Sequence, residues 1–453
     1  MKLDLIHEPI LPALTKLAAP IMASMFLSTA YNLTDMAWVG MLGSEAVTAI
    51  GIAGMYTWLA TGVICLARMG GQVTTAQSIG RGCWEEAKRY TAAALQLCIL
   101  FGVLFGIFCN IFTKPMIAYF KVQSAVTFAA AENYIRIVCG LIIFNFLALT
   151  LTGLSTAQGD SRTPFIANLI GLVFNMVLDP VLILGLFGLP RLGTVGAAIA
   201  TVSAQLIVSA VILFRMLRMK GEHVFRGNSI LRMGEARHYL RIVEIGLPAS
   251  LQNIVYCGIS FVLSALVADF GDAAVGAQRV GSQIESMCWN MADGFASAIN
   301  AFTAQNYGAG QLKRIRKGYN ISFLLLGAWG VLICLCFILF PMPISRIFFH
   351  EQEILELSAD YLRVIGCGDA FMCIELMTVG ALSGLGMTAL CSGISVLLTG
   401  MRIPLAYALC RTPLSLNGVW WAYSLSSIAK GIVFTVVFHM VMKRKTRAAE
   451  TAA

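Results

Sequence analysis

The chain has 453 residues, of which 58% are hydrophobic and only 12% are charged, and its mean hydropathy is +0.79. A soluble globular domain needs about a quarter of its residues charged to cover its surface. A water-soluble fold is therefore excluded, and lipid is the solvent that suits this surface. The net charge of +9 does not indicate nucleic-acid binding, because the basic residues lie between apolar runs and form no basic face.

Apolar runs of about twenty residues or more predict about twelve membrane-spanning helices. Helices that cross lipid satisfy their own backbone groups, so the fold class is an all-α polytopic membrane protein. In chain order the predicted spans are residues 11–39, 46–78, 87–112, 130–157, 163–187, 193–217, 239–268, 273–306, 315–340, 355–384, 388–409 and 416–442.

The charges of the loops predict the orientation. If the N-terminus lies in the cytoplasm, twenty Lys and Arg residues fall on the inner side and five on the outer side. Because cytoplasmic loops carry an excess of Lys and Arg, both termini are predicted to be cytoplasmic. We therefore expect a multi-pass protein of the cell (plasma or inner) membrane.

The two halves of the chain resemble each other at a shift of about 228 residues. Pro20 then matches Pro248, Gly43 matches Gly271, and the Thr-Ala-Gln run at 75–77 matches the one at 303–305. Each half holds six spans, so both halves enter the membrane from the same side and form two pseudo-symmetric six-helix bundles, a parallel repeat. The predicted domains are an N-terminal lobe over 1–217, a cytoplasmic linker over 218–238 and a C-terminal lobe over 239–453. Transporters built this way bind substrate between the halves.

Motifs for chemistry are missing from the sequence. There is no phosphate-binding GxxxxGK[ST] loop, no His at mid-membrane depth and no His/Cys ligand spacing, and the 13 Cys lie mostly inside apolar stretches. A membrane-embedded enzyme is the weaker alternative, and we predict no catalytic residues and no cofactor. Energy for transport would come from an ion gradient.

Polar residues of the first half fall at one depth in three predicted spans. Asp35 lies roughly 8 Å below the outer end of span 1, and Asp179 and Thr201 lie roughly 10–13 Å below the outer ends of spans 5 and 6. Asn32 shares a helix face with Asp35, and Asn175 shares one with Asp179. Carboxyls inside a membrane are costly and usually mark a pathway. The five residues predict a site for H⁺ or, with Asp35 and Asp179 as metal ligands, for Na⁺; the alternative is that the two acids cap or bridge helices.

Two prolines are candidate hinges. Pro20 deprives the carbonyl of Lys16 of its helical partner, and Pro180 does the same to Met176 directly after Asp179. A bend linked to protonation is one interpretation, and a static kink is the other.

The second half does not repeat the acidic pair. The counterparts of Asp35, Asn175, Asp179 and Thr201 are Leu263, Arg402, Ala406 and Tyr423. The predicted ion site therefore belongs to the first half alone.

The second half has polar positions of its own. Arg279, Gln283 and Asp293 follow near-helical spacing in span 8, Glu285 lies alongside, and Asp369 lies in span 10. They predict either a wet cavity or a second ion step. Internal ion pairs, for example of Arg279 or Arg402 with an acid, are the alternative.

Four stretches resemble the multidrug and toxic compound extrusion (MATE) family: residues 19–46, 157–164, 175–180 and 196–201. An Asp in span 1 with Asn-x-x-x-Asp-Pro in span 5 is similar to the DinF-like branch. The resemblance implies twelve helices in two lobes, and an ion site at Asp35, Asn175, Asp179 and Thr201. Another branch uses acids of the second lobe, where span 7 here offers only Gln252 or Asn253.

The resemblance implies a secondary active antiporter. It would export amphipathic, often cationic drugs or toxic compounds in exchange for H⁺ or Na⁺ by alternating access, and we expect it to act as a monomer. A flippase for a lipid-linked saccharide is the alternative within transport, with Arg279 and Arg402 as its support.

Overall fold

The computed structural model describes residues 3–120, 122, 124–188, 190–219, 223–225, 235–347 and 351–452, with the side chains of 30–33, 36, 37, 272, 353 and 452 left out. Every regular element in these ranges is helical. Two helices contribute to both of the compact units into which the chain divides: α1 (Ile10–Gly40) and α8 (Ala236–Ala268). Unit 1 comprises Met1–Leu3 and Ala23–Ser250, and unit 2 comprises Asp4–Met22 and Leu251–Ala453.

Unit 1 is a helical bundle in which α2 packs against three neighbours, α3, α4 and α5, while α7 packs against α4, α5 and α6. Small residues allow the close approach: a Cβ on Gly71 of α2 would lie 2.6 Å from the Cβ of Ala94 on α3. The helices are α2 (Ser44–Gly80), α3 (Trp84–Ala118), α4 (Ala125–Val138), α5 (Ile143–Ala157), α6 (Arg162–Leu184) and α7 (Thr194–Leu217).

The fourth predicted span is broken. Helices α4 and α5 meet at a bend of 46° instead of forming one rod over 130–157. Gly140 lies at the break, where an added Cβ would collide with the carbonyl oxygen of Arg136. The residues around it are apolar, so hydropathy alone does not reveal the bend.

Unit 2 is organised around one long helix, α12 (Gln352–Gly384). It packs against α9 (Asp272–Gly308), α10 (Leu312–Leu339) and α15 (Leu416–Ala452). Glycines of α12 lie against the neighbours; a Cβ on Gly384 would lie 2.6 Å from the carbonyl oxygen of Asn300. The remaining helices of this unit are α11 (Pro341–Arg346), α13 (Thr388–Gly400) and α14 (Arg402–Cys410).

The eleventh predicted span is interrupted between α13 and α14. Pro404 has no backbone N–H to donate to the carbonyl of Gly400, so the ladder is cut where α14 begins. The interruption places Arg402 at the first residue of a new helix.

The predicted fold class is confirmed, and the predicted spans agree with the helices except for the two interruptions and for α15, which continues from residue 442 to Ala452. Ten helices of the described ranges are long and apolar enough to cross a membrane, and the bent pair α4–α5 is an eleventh. The remaining predicted span corresponds to α9. This helix has 37 residues, but it is less apolar than the others because it carries the polar positions of predicted span 8.

The predicted domain boundaries stay a prediction. The compact units differ from the lobes 1–217 and 239–453, because the first part of α1 is assigned to unit 2 and the first part of α8 to unit 1. Most of the 218–238 linker lies outside the described residues, although Val224 and Phe225 are buried in an apolar cluster of unit 1. All 13 cysteines are free thiols, and 12 are buried or half-buried.

Candidate functional site

The two first-half carboxyls come together in unit 1. Asp179 is fully buried on α6, Asp35 of α1 is half-buried, and their carboxyl groups are close enough to interact. One turn before Asp179, the Asn175 amide donates from Nδ2 to Asp179 Oδ1 at 3.4 Å. The i, i+4 spacing thus brings Asn175 and Asp179 together, as the sequence predicts.

Oxygen atoms at this site lack donors. Asp35 Oδ1, Asn175 Oδ1 and Asp179 Oδ2 are all buried without a hydrogen-bond partner among the described residues. Buried polar atoms are normally satisfied, so three orphaned acceptors in one place require an explanation. A shared proton or a hard cation is a partner that such oxygens can bind.

Thr201 lies at the same level on α7. A Cβ on Gly196 would lie 2.6 Å from the Leu182 carbonyl oxygen, and one on Gly171 would collide with Val208. The first approach joins the start of α7 to the end of α6, and the second joins a later part of α7 to an earlier part of α6, so the two helices run antiparallel. Thr201 lies between these two approaches, opposite the turn that holds Asn175 and Asp179. Thr201 is half-buried and has an interaction partner.

An apolar layer covers the site at one end. Val39 lies one turn after Asp35, Ile183 one turn after Asp179, and Ala197 one turn before Thr201, and all three belong to one buried cluster. Their exposure is 3% or less. Three buried apolar side chains therefore pack together one turn from the polar residues, towards the C-terminal ends of α1 and α6.

The hinge prolines lie inside helices. Pro20 is within α1 and Pro180 within α6, and both helices continue past the proline. Their role as hinges stays a prediction. Asn32 lies on α1, and its side chain is outside the described residues.

The four second-half positions differ in burial. Arg279 and Gln283 are exposed on α9, and Asp293 of that helix is half-buried with a partner. Asp369 is 1% exposed on α12 and interacts electrostatically with Glu285 of α9. Among the described residues no three His, Cys, Asp or Glu side chains could together hold a metal ion.

Contacts in unit 2 differ from the predicted ion pairs. Neither Arg279 nor Arg402 forms an ion pair with an acid of the described ranges; the buried pair is instead Lys430 Nζ with Glu375 Oε1, at 2.8 Å between α15 and α12. The Tyr361 hydroxyl donates to Glu285 Oε2 at 2.8 Å. In the sequence these residues are visible only as polar positions within apolar spans. Their partners depend on how helices that are distant in the sequence pack together.

Comparison with known proteins decides the family. The MatE family model matches the chain twice, over residues 20–181 and 248–408. The chain belongs to the MatE family. The two matches start 228 residues apart, which is the shift of the internal repeat. Because this is a family of transporters, the chain is a transporter and not an enzyme.

Similar proteins cover nearly the whole MatE chain. “Probable multidrug resistance protein NorM” of Thermotoga maritima is 26% identical over 95% of this chain and 90% of its own length. The FAD transporter of Shewanella oneidensis is 25% identical over 80% of each chain. A MOP superfamily transporter from Pyrococcus furiosus superposes with a TM-score of 0.89 at 22% identity, covering 98% of both chains, which confirms the fold. The DinF-like branch stays a prediction.

Proposed function

We propose that the protein is an ion-coupled antiporter that exports amphipathic, often cationic compounds in exchange for H⁺ or Na⁺ by alternating access. The observation that carries the proposal is the group of Asp35, Asn175 and Asp179, with three buried oxygens for which the described residues supply no donor. The name of the Thermotoga maritima relative supports multidrug compounds as the substrate class.

The coupling step follows from electrostatics. Two ionised carboxylates in contact repel each other where little water screens them, and a proton or Na⁺ bound between Asp35 and Asp179 removes the repulsion. Helices α1 and α6, which carry the two groups, would then pack more closely in the loaded state. An ion that binds one conformation more tightly shifts the equilibrium towards it.

The test is transport by purified protein in liposomes with separately imposed pH and Na⁺ gradients. Asp35→Asn is expected to abolish gradient-driven export of a fluorescent cation and to leave dye binding unchanged. Asp269→Asn, an exposed acid after α8, is the matched control and should export like the wild type. Wild-type export by Asp35→Asn would overturn the proposal, and the gradient that drives export identifies the ion.

Two other substrates are candidates. The Shewanella oneidensis relative favours a flavin nucleotide, whose export would be measured by flavin fluorescence outside the liposomes. A lipid-linked saccharide would require flipping without net export, so a lipid-flipping assay on the same vesicles separates that function from dye export.

The charge asymmetry of the loops supports a chain with both termini in the cytoplasm, in the cell membrane. Cysteine-accessibility labelling at the two termini of intact cells tests this orientation. We propose that the chain acts as a monomer with no cofactor, and light scattering of the purified protein checks the oligomeric state.

A further inference from the structure

Arg402 of unit 2 is a buried cation without an acidic partner. It is 5% exposed, and its Nη2 donates to the hydroxyl of Ser427 at 3.3 Å. Its Nε is buried with no acceptor, and no carboxylate of the described residues forms an ion pair with it. A buried guanidinium normally has an anionic partner, since leaving it unpaired is costly.

Aromatic rings flank this guanidinium. The Arg402 Cζ atom lies 4.9 Å from the ring centroid of Tyr423 on α15 and 6.0 Å from that of Tyr256 on α8. Tyr256 is 39% exposed, so its ring is accessible at the edge of the arrangement. Rings with an adjacent guanidinium form a surface that suits a planar ligand carrying negative charge.

The charged groups near the guanidinium form no ion pair with it among the described residues. Glu285 interacts with it electrostatically from beyond ion-pair distance and accepts a hydrogen bond from Tyr361. Lys430 also lies near, but its ammonium is paired with Glu375. Asp369 faces Glu285.

The internal repeat shows that this position has changed its chemistry. Arg402 is the counterpart of Asn175, and the residue one turn later, where the first half has Asp179, is the buried Ala406. In the first half this helix presents an amide and a carboxylate; in the second it presents a single cation.

We propose that Arg402, Tyr256 and Tyr423 form a substrate subsite that binds the carboxylate or phosphate group of an amphipathic aromatic compound. The proposal rests on the transport function above and names a second chemical class of substrate for it. The anion would pair with the Arg402 guanidinium from the side of the exposed Tyr256 ring, and the aromatic body would lie against the two tyrosine rings.

The experiment measures binding to the purified full chain in phosphatidylcholine nanodiscs with no ion gradient. The probes are 7-methoxycoumarin-3-carboxylate and its methyl ester, which differ in one charge. The wild type should bind the carboxylate at least ten times more tightly than the ester. Arg402→Gln should weaken the carboxylate about 10- to 100-fold and the ester less than two-fold, because a charge-assisted hydrogen bond is lost for one probe only. Arg402→Lys should give an intermediate affinity.

The matched control is Arg411→Gln, an exposed arginine directly after the same helix, which should bind both probes like the wild type. Equal affinity of the wild type for acid and ester would overturn the proposal even if Arg402→Gln fails to fold. Displacement of the carboxylate by phosphatidylglycerol would assign the anion to a lipid headgroup and also overturn it. Asp35→Asn should keep the preference, so failure of ion coupling and failure of the subsite are distinguishable.

Discussion

The contact between α6 and α7 allows a prediction with a magnitude. In Gly196→Ala the new Cβ would lie 2.6 Å from the carbonyl oxygen of Leu182 and 2.7 Å from its carbonyl carbon. An ordinary contact begins at 3.4 Å, so the helices must separate by about 0.8 Å. Both atoms are backbone, and no side-chain rotation relieves the clash. We expect a loss of about 1–3 kcal/mol in stability, more than the gain of at most about 1 kcal/mol from better helix propensity.

The measurement is thermal unfolding of the purified protein, followed with a thiol-reactive dye that reports exposure of its buried cysteines. Gly196→Ala should melt several degrees below the wild type and couple export less tightly, because the clash lies one turn from Asp179. The control is Gly54→Ala on α2, where a Cβ meets nothing within 4 Å; it should melt at or above the wild-type temperature. A wild-type melting temperature for Gly196→Ala would refute the reasoning.

Two further predictions concern buried polar contacts. Glu375→Gln should destabilise the protein by about 3–5 kcal/mol, because it leaves the Lys430 charge unpaired. Adding Lys430→Met should restore much of this loss in the same melting assay. If the effects of the two substitutions simply add, the pairing is contradicted. Asn175→Ala removes the amide that donates to Asp179, so export at a fixed gradient should fall. The dye affinity without a gradient should stay within two-fold of the wild-type value. Unchanged export would show that the amide is dispensable.

Much of the fold could be predicted from the sequence because lipid restricts the possibilities to long apolar helices. The twelve spans and the repeat are of this kind. The break between α4 and α5 could not be predicted, because the residues directly on either side of Gly140 are apolar. Pro404 does indicate the break before α14, because proline has no backbone N–H to donate to the carbonyl of the residue four positions earlier.

The first-half site was accessible to sequence reasoning because its partners are one helical turn apart. Asn175 and Asp179 lie on one face by spacing alone, and Asp35 joins them through packing. The second half differs. One interpretation of the sequence pairs Arg402 with an acid, but no acid of the described residues forms an ion pair with it, and Lys430 pairs with Glu375, which is 55 positions away. Such partners depend on how distant helices meet, which no local pattern records.

The layer of Val39, Ile183 and Ala197 also bears on how tightly ions are retained. A hydrated cation cannot pass between packed aliphatic side chains without losing its water shell, and bare charge in an apolar medium costs many kcal/mol. In the proposed ion-coupled cycle, these side chains would keep water and ions from reaching the carboxyls from that side, and they would do so without a charged gate residue. In that cycle, the number of ions spent per molecule moved would depend on three hydrophobic side chains.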